Sequence, residues 1–289
     1  MKRIPGKLLK FLAEQAPEEY LKKIDLLDID EIGDTGYDEF GLSRDYLKGS
    51  LAAGLFLYEK WFRVEAYGVE RVPETGPALI ISNHSGQIPL DGAMITIACL
   101  LEMEKPRMCR AMIEKWFPTL PFVGATLTRV GQVVGVTENA ERLLEAGKLM
   151  MIFPEGIKGS GKTWDKRYQL QRFTLGFMEL AIKFRCPIIP TAVIGGEEQA
   201  PAFKNIEWLA DKLNMPYFPI TPTFPWLGLL GFMPLPSKYR IYFGEPMDFS
   251  DKQDDLSDPD LVRNHVELVK ATIQDMVNKG LEERPFPGL

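Results

Sequence analysis

The stretch Ala78–Ser82, ALIIS, continuing without a break into NHSGQIPLDGAMI at 83–95, decides how this chain is read. An uncharged apolar run is a strand buried on both faces, and the Gly- and Pro-bearing segment behind it ends that strand in a loop. The apolar helical run GAMITIACLLEM (92–103) follows. The same alternation recurs outward in both directions. Strands are predicted at 62–68 (FRVEAYG), 107–112 (RMCRAM), 132–136 (QVVGV), 149–153 (LMMIF), 188–194 (IIPTAVI) and 239–244 (YRIYFG). Helices are predicted at 46–61, 139–147, 174–184 and from Pro259 to Lys279, the last with Val262, Val266, Val269, Ile273 and Val277 on one face. Strands alternating with helices predict one α/β domain, residues 46–289, with a largely parallel sheet.

Residues 1–45 are rich in charge and turns and read as an N-terminal arm outside the sheet. Lys2, Arg3, Lys7 and Lys10, mixed with Ile4, Leu8, Leu9 and Phe11, suit either an anionic bilayer or an amphipathic helix docked on the domain. A second unusual segment, 215–237, has six prolines and no charge. Its prolines forbid a continuous helix, so it reads as a loop, either dipping into a bilayer through Trp226 and Phe224 or packing back on the core.

With 289 residues and 45% hydrophobic content the chain fills a sizeable core, and its net charge of −6 argues against a nucleic-acid partner. Cys99, Cys109 and Cys186 have no metal-type spacing and suit reduced thiols. With two histidines and no cysteine cluster, no metal site is expected. No window has the run of about 20 apolar residues that a spanning helix needs, and the N-terminus lacks a secretory pattern. The expectation is a cytoplasmic protein, peripheral on the inner face of the membrane.

Of the two histidines, His84 follows a strand end directly, where α/β folds place ligands. Asp91 is the only carboxylate between Thr75 and Leu101. A carboxylate on the second ring nitrogen fixes the tautomer of an imidazole and stabilises its protonated form, so the pair suits a general base. Such a pair is also common as a structural feature. His265, inside the closing helix, reads as structural or solvent-facing.

A second constellation follows the strand LMMIF: PEGIKGSGKT, 154–163. Its glycines allow close backbone approach, and Lys158, Lys162, Lys166, Arg167 and Arg172 face a single acid, Asp165, so the stretch reads as an anion site or as a solvated basic loop. GIKGSGKT also fits the phosphate-loop pattern of nucleotide-binding enzymes. Against that reading, no later strand ends in an Asp to hold magnesium, and WDKRYQLQRF is a poor helix start behind the loop.

In the order and spacing of ALIISNHSGQIPLDGAMI, TLPFVGATLTRVGQVVGVTENAERLLEAGKLMMIFPEGIKG and CPIIPTAVIG, residues from about 60 to 250 resemble the lysophosphatidic acid and glycerol-phosphate acyltransferase family. The chain resembles in particular a branch with His-Ser-Gly-x-x-Pro-x-Asp. The resemblance implies a mixed seven-stranded sheet flanked by helices and no cofactor. It implies transfer of an acyl group from acyl-CoA or acyl carrier protein to a glycerolipid hydroxyl. It makes His84 the base, Asp91 its orienting partner, and Glu155 and Gly156 parts of the acceptor site. The chain departs from the family in two places. Six residues separate His84 from Asp91, a longer gap than usual, so the loop must bulge. Thr137 also stands where the family carries a phosphate-binding Arg. The acceptor phosphate is then met by Arg129, Lys158 or another base, or the acceptor has none.

The leading expectation is direct transfer in a ternary complex, because no Ser or Cys is evidently paired with the base; Ser82 and Ser85 keep a covalent route open. The alternatives are a phosphate-loop enzyme and a non-catalytic lipid-binding protein on the same scaffold.

Overall fold

The structure, a computed structural model, describes residues 6–284. Lys2, Arg3 and Ile4 of the basic arm lie outside the described residues. The described residues of the arm supply two short helices, α1 (Gly6–Ala13) and α2 (Glu18–Asp25), ahead of α3 (Arg44–Leu55), and no strand of the main sheet. Ala16, Ile24, Leu27 and Leu42 of the arm join the core. Leu9 of α1 rests on Gly49 of α3, whose missing Cβ leaves the room. Leu8, Phe11 and Leu12 stay exposed. A buried ion pair between Asp38 and Arg110 fastens the end of the arm, and Asp38 also accepts the Phe40 and Leu42 amides at 2.9 and 2.7 Å.

Behind α3 the elements alternate as the apolar periods require. They run β1 (Glu65–Tyr67), β2 (Ala78–Ser82), α4 (Leu90–Leu101), β3 (Cys109–Ile113), α5 (Val123–Arg129), β4 (Val133–Val134), α6 (Thr137–Glu145) and β5 (Leu149–Ile152). They continue as α7 (Ile157–Ser160), α8 (Gly176–Lys183), β6 (Ile188–Ile194), β7 (Lys204–Asn205), α9 (Glu207–Lys212), β8 (Pro219–Ile220), β9 (Arg240–Phe243) and α10 (Pro259–Glu283). Seven strands form one sheet in the order β1-β9-β6-β2-β5-β3-β4, parallel except for the antiparallel pair β6/β9; β7 and β8 make a separate hairpin. The fold is therefore the α/β domain with a largely parallel sheet that the alternation predicts, and the mixed seven-stranded sheet that the resemblance implies. The short pieces α5, α7 and α9 are additions, too brief to show a period.

Every residue of β2 and β6 is buried, so both faces of the sheet are covered. Alternate residues divide between two cores: Ala78 and Ile80 face the layer of α3 and α4, Leu79 and Ile81 that of α8 and α10. The five periodic residues of α10, Val262 to Val277, are at most 2% exposed. At roughly 1.5–3 kcal/mol for each buried aliphatic side chain, this stripe suffices to seat the helix. Because β6, β2 and β5 are parallel neighbours, the loops after Ile194, Ser82 and Ile152 leave the sheet side by side at one edge.

Candidate active site

His84 stands two residues beyond β2, at that edge. Its Nδ1 lies 2.8 Å from Oδ2 of Asp91, which sits in the first turn of α4 and is fully buried. A carboxylate only accepts, so Nδ1 carries the proton and Nε2 the lone pair. The ring stacks on Phe153 with centroids 4.3 Å apart. Asp91 is itself fixed by the amides of Ser85 at 2.9 Å and Gly92 at 2.8 Å. Burial alone would lower the His84 pKa, but the charge and hydrogen bond of Asp91 outweigh it, so the imidazole sits above its usual value.

Beneath the imidazole is a buried ionic group. Glu155, behind β5, accepts the His84 amide at 2.9 Å and the Gln171 amide at 2.7 Å. Lys162 lies 3.4 Å from Glu155 and 3.2 Å from Glu197, which follows β6. Burial pulls the Lys162 ammonium down, and Glu197 and Glu155 more than reverse this, leaving its pKa raised. Burial pushes the Glu197 carboxyl up against the pull of Lys162. Gly159 is packed too closely for any side chain: a Cβ there would lie 2.6 Å from Cβ of Glu155 and 2.9 Å from Cβ of His84.

His84 opens on a cavity of about 300 Å³. Its walls are mainly apolar, with Ala93, Ala111, Leu127, Val130 and Phe153 among them. Gly156 lines it too, with φ +56 and ψ −144, a backbone region open essentially to glycine alone. Among the described residues no Lys or Arg contributes to the lining; its polar members are His84, Glu114, Gln132, Ser160 and Tyr217. Tyr217 comes from the proline-rich segment and donates to the Gln87 carbonyl at 2.5 Å. That segment is partly packed on the protein, Trp61 donating to the Pro234 carbonyl at 3.1 Å. It leaves Trp226, Leu227, Leu230 and Met233 exposed.

The sequence-predicted residues thus separate. His84, Asp91, Glu155 and Gly156 come together. Lys158 is exposed on α7, outside the lining, and Arg129 lays its guanidinium over the Tyr46 ring, 5.2 Å from the centroid. Thr137 is outside the cavity as well, on the far side of β4. Lys162 occupies the lysine position of the phosphate-loop pattern, but it is bound between two carboxylates, and Ile157–Ser160 coil into a helical turn. Neither feature leaves a loop of free amides for a nucleotide phosphate. Ser82 donates to the Asn83 carbonyl and Ser85 approaches Asp91 at 3.5 Å, so neither hydroxyl is paired with the imidazole. His265 bonds Asp255 at 2.7 Å, well apart in the fold on α10. Glu197 and Gln171 escaped the sequence reading; nothing in their local pattern marks them, although Glu197 follows a strand as His84 does.

A sequence model of the acyltransferase family matches residues 63–194, which hold both motif loops. An uncharacterized protein of Mycobacterium tuberculosis is 40% identical over 255 residues, covering 87% of this chain and 71% of that one. The human DGAT1/2-independent enzyme synthesizing storage lipids is 27% identical, over 76% of this chain and 62% of its own. Among solved structures, the 1-acyl-sn-glycerophosphate acyltransferase PlsC of Thermotoga maritima superposes with a TM-score of 0.51 at 16% identity, over 83% of each chain. The PlsC likeness speaks for the fold, and with the family match it defines the class: this protein is an acyltransferase. More narrowly, the chain belongs to the acyltransferase family whose sequence model it matches, and it shares its fold with PlsC.

Proposed function

We propose that this enzyme transfers a fatty acyl group from a thioester, acyl-CoA or acyl carrier protein, to the hydroxyl of a glycerolipid that carries no phosphate. In this reaction the acceptor O–H gives its proton to Nε2 of His84 as its oxygen attacks the thioester carbonyl carbon. Asp91 holds Nδ1–H and stabilises the imidazolium. The C–S bond then breaks, and the proton passes from Nε2 to the leaving sulfur. No covalent acyl-enzyme is needed.

The observation that carries this reading is a His–Asp pair opening on an apolar cavity whose lining has no cation. A phosphate placed there would lose its hydration with no cation among the described lining residues to neutralise it, at a cost of several kcal/mol. The Glu114 side chain in the lining would add repulsion. The apolar walls suit an acyl chain instead. One relative is by its name an enzyme synthesizing storage lipids, and another fold neighbour acts on a lysophosphatidate; the lining favours the first pattern.

The substrates lie in bilayers, and among the described residues no helix is long and apolar enough to cross one. The exposed Trp226, Leu227, Leu230 and Met233 are the contacts through which the enzyme meets the inner leaflet. The deciding assay follows free thiol and acylated product by mass spectrometry, with acyl-CoA and either mono- and diacylglycerol or lysophosphatidate as acceptors. Faster turnover of the neutral acceptors is expected. A tenfold preference for lysophosphatidate would overturn the phosphate-free assignment.

A further inference from the structure

Three consecutive backbone amides carry the chain past the base, and each ends on a different carboxylate. His84 donates to Oε1 of Glu155 at 2.9 Å, Ser85 to Oδ2 of Asp91 at 2.9 Å, and Gly86 to Oε2 of Glu197 at 3.5 Å. The acids arrive from the loop after β5, the start of α4 and the loop after β6. Their side chains are 0, 0 and 4% exposed. Buried carboxylates held this close repel one another unless a counter-charge lies between them. Lys162, 1% exposed, supplies it, touching both Glu155 and Glu197.

We propose that Lys162 and Glu197 are positioning residues for acyl transfer: Lys162 clamps the two glutamates so that they hold the backbone of His84 and Gly86, and thereby aim the imidazole into the cavity. This rests on His84 being the base. Neither residue lines the cavity, so neither touches substrate. The pull of Lys162 on Oε2 of Glu155 leaves Oε1 to the His84 amide. Its backbone carbonyl also accepts from Gln87 at 2.8 Å, tying a third point of the same loop. Glu197 takes the Tyr168 amide at 3.3 Å and so spans from the loop to the segment behind Lys162. The lysine of a phosphate-loop-like pattern is thus an internal counter-ion.

The ionisable groups nearest His84 are Asp91 on α4, Glu155 and Lys162 on the loop behind β5, with Glu197, Tyr168, Tyr217 and Tyr239 around the ionic group. Lys162 opposes protonation of His84, so its removal moves the imidazole midpoint upward.

With two histidines in the sequence, the His84 titration is readable by NMR of ¹⁵N-labelled full-length protein. In Lys162→Met the His84 midpoint rises and kcat falls about 10²-fold, with KM for the thioester within about threefold, since misaimed chemistry and not binding is lost. Lys162→Arg regains most of the rate. Glu197→Gln, which leaves Lys162 paired with Glu155, folds and loses about tenfold in kcat with KM unchanged. A wild-type titration in Lys162→Met together with wild-type kcat in both variants overturns the proposal. If Lys162→Met does not fold, kcat against KM in Glu197→Gln decides alone. Full acyl transfer in His84→Ala would instead sink the general-base reading, while the NMR shift would still report on the clamp.

Discussion

Nδ1 of His84 reaches Oδ2 of Asp91 at 2.8 Å although six residues lie between them. The loop closes because Gly86 takes φ +72, in a space where a Cβ would lie 2.3 Å from Nε2 of Gln199 and 2.5 Å from the Gly196 carbonyl oxygen. A longer loop than the family's therefore brings the same two groups into contact, with the extra residues folded against the segment behind β6.

If Nε2 of His84 takes the acceptor proton, His84→Ala lowers acyl transfer by about 10²- to 10⁴-fold, the range of general-base catalysis. The ring is at the cavity edge, so thermal unfolding stays cooperative. Thiol release that depends on acceptor, measured alongside circular dichroism, checks both halves.

The pH profile has a definite sign. The base must be neutral, and Asp91 holds the His84 pKa above its ordinary value, so the acid limb of kcat/KM lies above the usual imidazole range. In Asp91→Asn the largest stabilising charge is gone and burial, with Lys162, is opposed only by the weaker pull of Glu155, so the limb moves to lower pH while the plateau falls by orders of magnitude as the tautomer is lost. A limb that moves upward would contradict this.

Gly159 lies on the wall between the base and the buried ionic group. Gly159→Ala forces contacts under 3 Å on Glu155 and His84 and is expected to cost about 1–3 kcal/mol. Denaturant unfolding measures that cost, and the initial rate should fall with it.

If the cavity holds an acyl chain, filling it shortens the chain accepted. Ala93 is part of the wall, and Ala93→Phe is expected to shift turnover toward shorter acyl-CoAs while leaving the His84 titration unchanged. Competition between short and long donors, resolved by mass spectrometry, tests this; an unaltered chain preference would place the acyl group elsewhere.

Surface docking makes a separate prediction. The paired change Trp226→Ser and Leu230→Ser removes two side chains exposed by 72 and 68%, so it leaves the fold stable. It should release the protein from phosphatidylcholine vesicles in a sedimentation assay. Retention on the vesicles would move the membrane contact to another surface.

The sequence by itself determined the order of the longer elements and the place of His84 at a strand end. Apolar runs, glycines and prolines act through neighbours along the chain, so ALIIS and IIPTAVI read as strands with the bounds they have, and His84 reads as a strand-end residue. Asp91 was in reach for the same reason, as the one local carboxylate. Which distant groups join them depends on the strand order β6-β2-β5, and no local pattern records that order. Only the tertiary structure carried Glu197 to the amide of Gly86, 111 residues away. Only the tertiary structure turned Lys162 from a presumed anion ligand into a buried counter-ion and laid Arg129 over Tyr46 outside the cavity. Charge in a sequence has no direction until packing decides which water it loses and which partner it gains.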